Sequence, residues 1–170
     1  MKIRNFLAIA AIGILAACET PYRATDTVVV APAGITSSFS TQYPMATNVV
    51  WTNYDPVVIA PLDWDLAGWT VLDGSDYVVR FNMDNEDYYA WYDSDGTWVG
   101  TAYVMRDHNM MPTAVSNTIN TQFSGYTISS ITREFQSDDR VAYEVELKNG
   151  DSKVKVLLDS NGNILKQKTK

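Results

Sequence analysis

Apolar and charged residues alternate along two neighbouring stretches near the C-terminus, residues 143–147 and 153–157. Alternation with a period of two is typical of strands that bury one face. Asn149 and Gly150 lie between the stretches, and this dipeptide favours a two-residue hairpin loop. The sequence therefore predicts an antiparallel hairpin with one apolar face and one charged face.

The loop also predicts which residues lie opposite one another. If Asn149 and Gly150 form the whole loop, Glu146 faces Lys153 and Glu144 faces Lys155. Opposite charges placed directly across two strands stabilise a hairpin by roughly 0.2–1 kcal/mol for each pair. The charged face is thus expected to be open to solvent, while the apolar face needs a covering element.

A helical period precedes this hairpin and supplies that cover. Val115, Ile119 and Phe123 recur at intervals of four residues, with Pro112 before them and Gly125 after them. Proline suits the first turn of a helix and glycine its end. The sequence predicts an amphipathic helix between the proline and the glycine, packed on the apolar face of the hairpin.

The chain contains an internal repeat, a feature to be considered before any fold is proposed. Residues 93–99 align with residues 159–165, and residues 77–81 align with residues 143–147 at the same offset without a gap. We therefore predict an α+β protein of two tandem repeats, each a short helix packed on an antiparallel β-meander.

This organisation gives boundaries along the whole chain. The predicted segments are a signal peptide at 1–17, a tether at 18–34, a first repeat at 35–105 with an insertion near 54–70, and a second repeat at 106–170. The tether has proline breakers and no helical period, as expected of a linker. Its valines at 28–30 leave open the alternative of an added edge strand.

Two signatures recur in the same order in both units: an aromatic element, Tyr43-Pro44 or Phe123-Ser124, and an Asp-x-x-Gly turn. They lie in residues 43–51, 89–98, 123–126 and 158–162. These signatures resemble those of the beta-lactamase-inhibitor-like, PepSY-like periplasmic proteins. The resemblance covers about residues 35–170. It implies a tandem helix-plus-antiparallel-sheet fold, secretion by Bacteroidetes-type bacteria, a binding or inhibitory role and no catalytic residues.

The two units differ on the face turned away from the helix. Applying the offset of the repeat places Val78, Tyr89 and Trp91 on this face, where the second unit has two charged residues and a leucine. Exposed apolar patches usually mark interaction sites. With Trp64 and Trp69 of the insertion, these are the predicted partner-binding residues. The alternative is that the tether or the insertion folds over the rings.

Two features raise the question of a metal site. Asp93 and Asp95 precede Gly96 in a way that suits calcium, but the same residues suit a tight turn, which we favour. His108 is the only histidine and lies in a polar linker, so a site with several imidazole ligands is excluded. No cofactor and no catalytic residue are predicted.

The N-terminus predicts export and lipidation. Lys2 and Arg4 precede an apolar run at 6–15, which is shorter than the roughly 20 residues that a membrane-spanning helix needs. The run ends in Leu-Ala-Ala before Cys18, the only cysteine, and this element resembles a bacterial lipobox. We predict cleavage before Cys18 and attachment to the membrane through lipid on its thiol.

Charge and context narrow the partners and the location. The net charge of −7 disfavours nucleic acid. Glu19 rather than aspartate follows Cys18, which favours the outer over the inner membrane of the cell envelope. We predict a non-catalytic envelope protein that binds another envelope protein, in its sharpest form an inhibitor of a secreted or periplasmic hydrolase. The alternative is a glycan- or small-ligand-binding, or calcium-responsive, periplasmic protein.

Overall fold

The computed structural model describes residues 27–56 and 61–169. The predicted signal peptide, Cys18 and the first part of the tether lie outside the described residues. Within the described ranges, no helix has the length and apolar character needed to cross a bilayer.

Helices and strands follow one another in a simple order along the described chain. The helices are α1 (Ala33–Gln42), α2 (Trp64–Ala67) and α3 (Thr113–Gln122). The strands are β1 (Thr47–Asn53), β2 (Tyr77–Met83), β3 (Glu86–Tyr92), β4 (Trp98–Val104), β5 (Thr127–Gln136), β6 (Val141–Asn149), β7 (Ser152–Asp159) and β8 (Ile164–Thr169).

All eight strands form one antiparallel sheet in which each strand pairs with the next in sequence. α1 precedes β1–β4 and α3 precedes β5–β8, which confirms the predicted combination of helices with an antiparallel meander. The alternative of an added edge strand at residues 28–30 is reduced to one antiparallel bridge between Val28 and Thr52, beside a hydrogen bond from the Val29 N–H to the Trp51 carbonyl.

The main hydrophobic core joins one face of the sheet to α1 and α3. Ile35 and Phe39 of α1 are buried in it, as are Val115 and Ile119 of α3 and Phe123 directly after α3. The apolar stripe predicted for the helix before the hairpin, which is α3, is therefore confirmed. Burial of such side chains typically contributes about 1.5–3 kcal/mol each, which makes this layer the main source of stability.

The β6–β7 loop differs from the prediction. Asn149 pairs with Ser152 at the end of the ladder, so the two-residue loop consists of Gly150 and Asp151. Gly150 has a positive φ of 56°, as expected for glycine at the first central position of a type II′ turn. The glycine therefore begins the loop instead of ending it.

This loop shifts the pairing by two residues. Glu146 lies opposite Lys155 rather than Lys153, and Glu144 lies opposite Leu157, so the predicted cross-strand pairs are wrong. The predicted faces are nevertheless right, because side chains alternate with a period of two and a two-residue shift preserves each face.

Candidate functional site

The sheet face opposite α1 and α3 carries the predicted site, and we refer to it as the outer face. Its side chains include Val78, Tyr89, Trp91, Ala102, Glu134, Glu144 and Lys155. Val78 lies opposite Trp91 in the β2–β3 ladder, and both pack in a cluster separate from the main core. The structure thus confirms that Val78 and Trp91 share a face.

The outer face is not open in the first half of the sheet. Residues 61–72 cross this face, and we call them the cover segment. They comprise the last part of the predicted insertion and the two residues after it. Leu62, Trp69 and Leu72 of the cover segment pack with Trp91 and Ala102 of the sheet. Trp91 is 0% exposed, so the prediction of an exposed ring at this position is wrong, and the insertion covers it.

Three tryptophans form the centre of this contact. The ring centroids of Trp64 and Trp69 are 5.6 Å apart, those of Trp64 and Trp91 5.6 Å, and those of Trp69 and Trp91 5.4 Å. All three pairs meet edge to face, at 86–89°. This geometry is worth about 0.5–1.5 kcal/mol for each pair beyond burial alone, so the indoles fix the cover segment on the sheet.

A glycine in β4 makes room for one of these rings. A Cβ atom added at Gly100 would lie 2.4 Å from a ring atom of Trp69 and 2.8 Å from the Phe135 carbonyl oxygen. Any larger residue would therefore push Trp69 away from the sheet. Gly100 is part of the site, although nothing in the repeat pattern marks it.

The structure brings the five predicted binding residues together in one cluster. Trp69 and Trp91 are buried, while Trp64, Val78 and Tyr89 are half-buried and lie at its margin. The margin is therefore the part of this cluster that a partner can reach while the cover segment is in place.

The second half of the outer face is held to the cover segment by charges. The Lys155 ammonium lies 2.7 Å from Glu144 Oε1 and 3.4 Å from Asp63 Oδ2. The Lys168 ammonium lies 2.6 Å from Asp65 Oδ2 and 3.4 Å from Asp63 Oδ1. The carboxylates of the cover segment are thus paired with lysines of β7 and β8.

Hydrogen bonds and pKa shifts strengthen this arrangement. The Asp63 N–H donates to Glu144 Oε2 at 2.9 Å. Burial alone would raise the pKa of Asp63, but Lys155 and Lys168 lower it below its usual value. Burial would likewise lower the pKa of Lys155, but Glu144 and Asp63 raise it. Both partners are therefore charged across the neutral range.

Glu134 of β5 lies between the aromatic and the ionic contacts. Its side chain is fully buried, and neither carboxyl oxygen has a hydrogen-bond partner among the described residues. Burial, with repulsion from Glu144, raises the pKa of Glu134 to about 8. The nearby Trp69 indole acts in the opposite direction but completes no hydrogen bond. Glu134 is consequently protonated at neutral pH.

The calcium candidates form a turn. Asp93 Oδ1 accepts hydrogen bonds from the backbone N–H groups of Asp95 and Thr97, at 3.0 and 2.8 Å. His108 is exposed in a short 3₁₀ helix, as expected of a polar linker. In the part of the chain that the structure describes, no three His, Cys, Asp or Glu residues are grouped as metal ligands.

Comparisons with known proteins relate this chain to one protein family. The model of the family described as "Putative beta-lactamase-inhibitor-like, PepSY-like" matches residues 75–166. A search of curated proteins gave no match.

Several solved structures from Bacteroides species share the fold. A DUF2874 family protein of Bacteroides uniformis has 23% identity and a TM-score of 0.63, covering 82% of this chain and 90% of its own. A BLIP-like protein of Bacteroides fragilis has 17% identity and a TM-score of 0.64, covering 83% and 87%. A putative periplasmic protein of Bacteroides eggerthii has 19% identity and a TM-score of 0.63, covering 83% and 90%.

Proposed function

This chain belongs to the putative beta-lactamase-inhibitor-like, PepSY-like family, and on that premise we propose that it is a non-catalytic periplasmic protein that binds and inhibits a secreted or periplasmic hydrolase. The likeness to a BLIP-like protein supports an inhibitor-like role, and the single eight-stranded sheet of the described residues offers one broad face for a partner. In this proposal the two halves of the chain, each with one ten-residue helix and four strands, are tandem repeats that together form this face.

The observation that carries the proposal is the margin of the outer face beside the cover segment. Arg80 lies over the Tyr89 ring, 5.9 Å from its centroid, and 3.6 Å from the Asp87 carboxylate. Val104 is 41% exposed on the same face. Half-buried Trp64 of the cover segment belongs to the same cluster as Tyr89. We name these five residues the docking surface.

The composition of the docking surface suits a protein partner. Tyrosine, tryptophan and arginine are the residues that most often dominate binding energy in protein interfaces. Tyr89 and Trp64 are the anchors in this proposal, with half-buried Val78 beside them. Trp69 and Trp91 support the anchors from beneath rather than contacting the partner.

A glycan-binding role is less well supported. Sugar recognition by stacking needs a free aromatic face, whereas the three indoles of the cluster pack edge to face on one another. The Asp93 carboxylate is occupied by its own turn, which likewise weakens a calcium-dependent role.

Lipid attachment at Cys18 completes the proposal, with the outer membrane as the preferred site. Several acyl chains on one residue anchor a protein stably, whereas a single chain gives marginal binding. The Cys18→Ser variant is expected to incorporate no labelled lipid and to leave the membrane fraction. Undiminished lipid labelling of this variant would contradict the anchor.

The binding proposal is tested by affinity capture with the full chain from solubilised envelope, followed by inhibition assays on each captured hydrolase. We expect Tyr89→Ala and Arg80→Ala each to weaken inhibition by tenfold or more, because an anchor residue contributes about 2 kcal/mol. Leu165→Ala is the matched control, since Leu165 is 43% exposed on β8, the edge strand of the sheet's second half, which is farthest from β2 and β3 in the strand order. The absence of any captured hydrolase, or equal inhibition by all variants, would contradict the proposal.

A further inference from the structure

Three polar groups that are buried where the cover segment meets the sheet have no hydrogen-bond partner among residues 27–56 and 61–169. They are the Glu134 carboxyl group, the Gln136 Nε2 amide and the Trp69 indole N–H. Buried polar groups are normally hydrogen-bonded, so an unpaired set in one place calls for a physical explanation. Glu134 and Gln136 are two residues apart on one strand and therefore share the outer face.

The cover segment is attached on both sides of these groups. The indole contacts hold its Trp64 and Trp69 to Trp91. On the other side, the Thr132 hydroxyl donates to the Pro61 carbonyl at 3.1 Å, and Asp63 is joined to Glu144 and Lys155. Glu134 is thus enclosed by the cover segment and has no contact with bulk solvent while the segment is in place.

We propose that the cover segment is a proton-controlled switch: it is closed over the outer face while Glu134 carries a proton, and it loosens when Glu134 ionises. A protonated carboxyl is neutral and tolerates burial, whereas an unpaired carboxylate in an apolar site is strongly disfavoured. Opening would hydrate Glu134 and expose Trp91 and Val78. The role of the switch in binding rests on the proposed function, but its existence does not.

The charged groups around Glu134 do not compensate its ionisation. Glu144 of β6 and Asp63 of the cover segment repel a carboxylate at this position. Arg140, directly before β6, attracts such a carboxylate. However, the Arg140 guanidinium already donates a hydrogen bond to the Gln136 side chain. The Lys155 ammonium is paired with Glu144 and Asp63.

The direction of the pH dependence follows from the raised pKa of Glu134, about 8 in the closed state against an ordinary value of 4.5. The proton on Glu134 favours the closed state fully at pH values below the ordinary pKa of 4.5. This preference declines as pH rises towards the closed-state pKa of about 8, and it changes no further above that pH. Between pH 6 and pH 9, the equilibrium constant for closing can therefore fall by at most roughly a hundredfold.

Amide hydrogen exchange of the full chain without any partner tests the switch, with labelling times corrected for the intrinsic pH dependence of exchange. The reporters are amides that the closed segment protects: the Asp63 N–H bonded to Glu144, and those of Leu66 and Ala67 bonded to the Asp63 carbonyl. We expect their protection to fall at least tenfold between pH 6 and pH 9. Amides of β6, in the sheet core, should keep their protection.

Variants separate this switch from general loosening. Glu134→Gln should keep the reporters protected at pH 9, because the amide cannot ionise. Glu146→Gln is the matched control, because Glu146 is a half-buried glutamate on the same face. A hydrogen bond from Ser129, together with neighbouring lysines, outweighs burial and lowers the pKa of Glu146. This variant should therefore behave like the parent chain. Unchanged protection of the parent chain up to pH 9, or an equal loss in Glu134→Gln, would overturn the switch. Neither result depends on finding the hydrolase.

Discussion

One segment covers both halves of the outer face, but it is held to them by different chemistry. Over the first half, Trp64 and Trp69 pack on Trp91 in an apolar cluster. Over the second half, Asp63 and Asp65 pair with lysines of β7 and β8. Each half has one ten-residue helix and four strands, and the first half adds α2 of the cover segment between β1 and β2. The two attachments differ in the side chains that the sheet presents to this segment.

This contrast separates two kinds of attachment. Apolar burial depends little on pH, whereas ion pairs respond to titration and are screened by salt in proportion to their exposure. Loss of a contact in the aromatic half should therefore act through packing, and loss of one in the ionic half through unpaired charge. Substitutions in the two halves should differ accordingly.

The largest effect is expected on the aromatic side. Trp91→Ala removes a fully buried indole and should lower the free energy of unfolding by about 3–5 kcal/mol, as large-to-small core changes do. Denaturant melts measure this effect. Trp64→Ala, at a half-buried position, is the comparison and should cost clearly less. Equal costs would show that the segment does not enclose Trp91.

On the ionic side, Lys155→Met leaves Glu144 and Asp63 without their shared cation. Because Glu144 is almost fully buried, we expect a loss of about 3 kcal/mol in the free energy of unfolding at pH 7. Lys153 is an exposed residue of the same strand. The Lys153→Met variant should therefore change the free energy of unfolding by no more than about 0.5 kcal/mol. A stable Lys155→Met protein would refute the ionic attachment.

A smaller effect is expected where Trp69 meets β4. Gly100→Ala places a Cβ against the Trp69 ring and should destabilise the protein by about 1–3 kcal/mol, as overpacking does. Gly74→Ala is the control, because an added Cβ there meets nothing within 4 Å. Thermal melts of the two variants compare them directly, and indistinguishable curves would argue against close packing at Gly100.

The sequence predicted what depends on local periodicity. Period-two alternation placed Val78 and Trp91 on the correct face, and a period of four placed Val115 and Ile119 in the core. The β6–β7 register could not be predicted in this way, because Asn149-Gly150 and Gly150-Asp151 are both acceptable two-residue loops. The choice between them shifts the strand pairing by two residues.

The sequence left open whether the insertion covers the rings, because the cover segment has no period of its own and its partners are distant in sequence. Glu134 illustrates the difficulty: it occupies an outer-face position in an alternating strand, where a glutamate normally indicates exposure to solvent. Only the three-dimensional path of residues 61–72 shows that this carboxyl group is buried. The aromatic residues were recognised correctly as a group, but their burial depended on the same path.

Fluorine NMR of 5-fluorotryptophan-labelled protein, with a soluble paramagnetic agent at pH 6, measures whether the cover segment encloses the aromatic face. We expect the Trp91 resonance to be broadened no more than that of Trp51 in the main core, and the resonance of half-buried Trp64 to be broadened strongly. Broadening of Trp91 equal to that of Trp64 would contradict this enclosure.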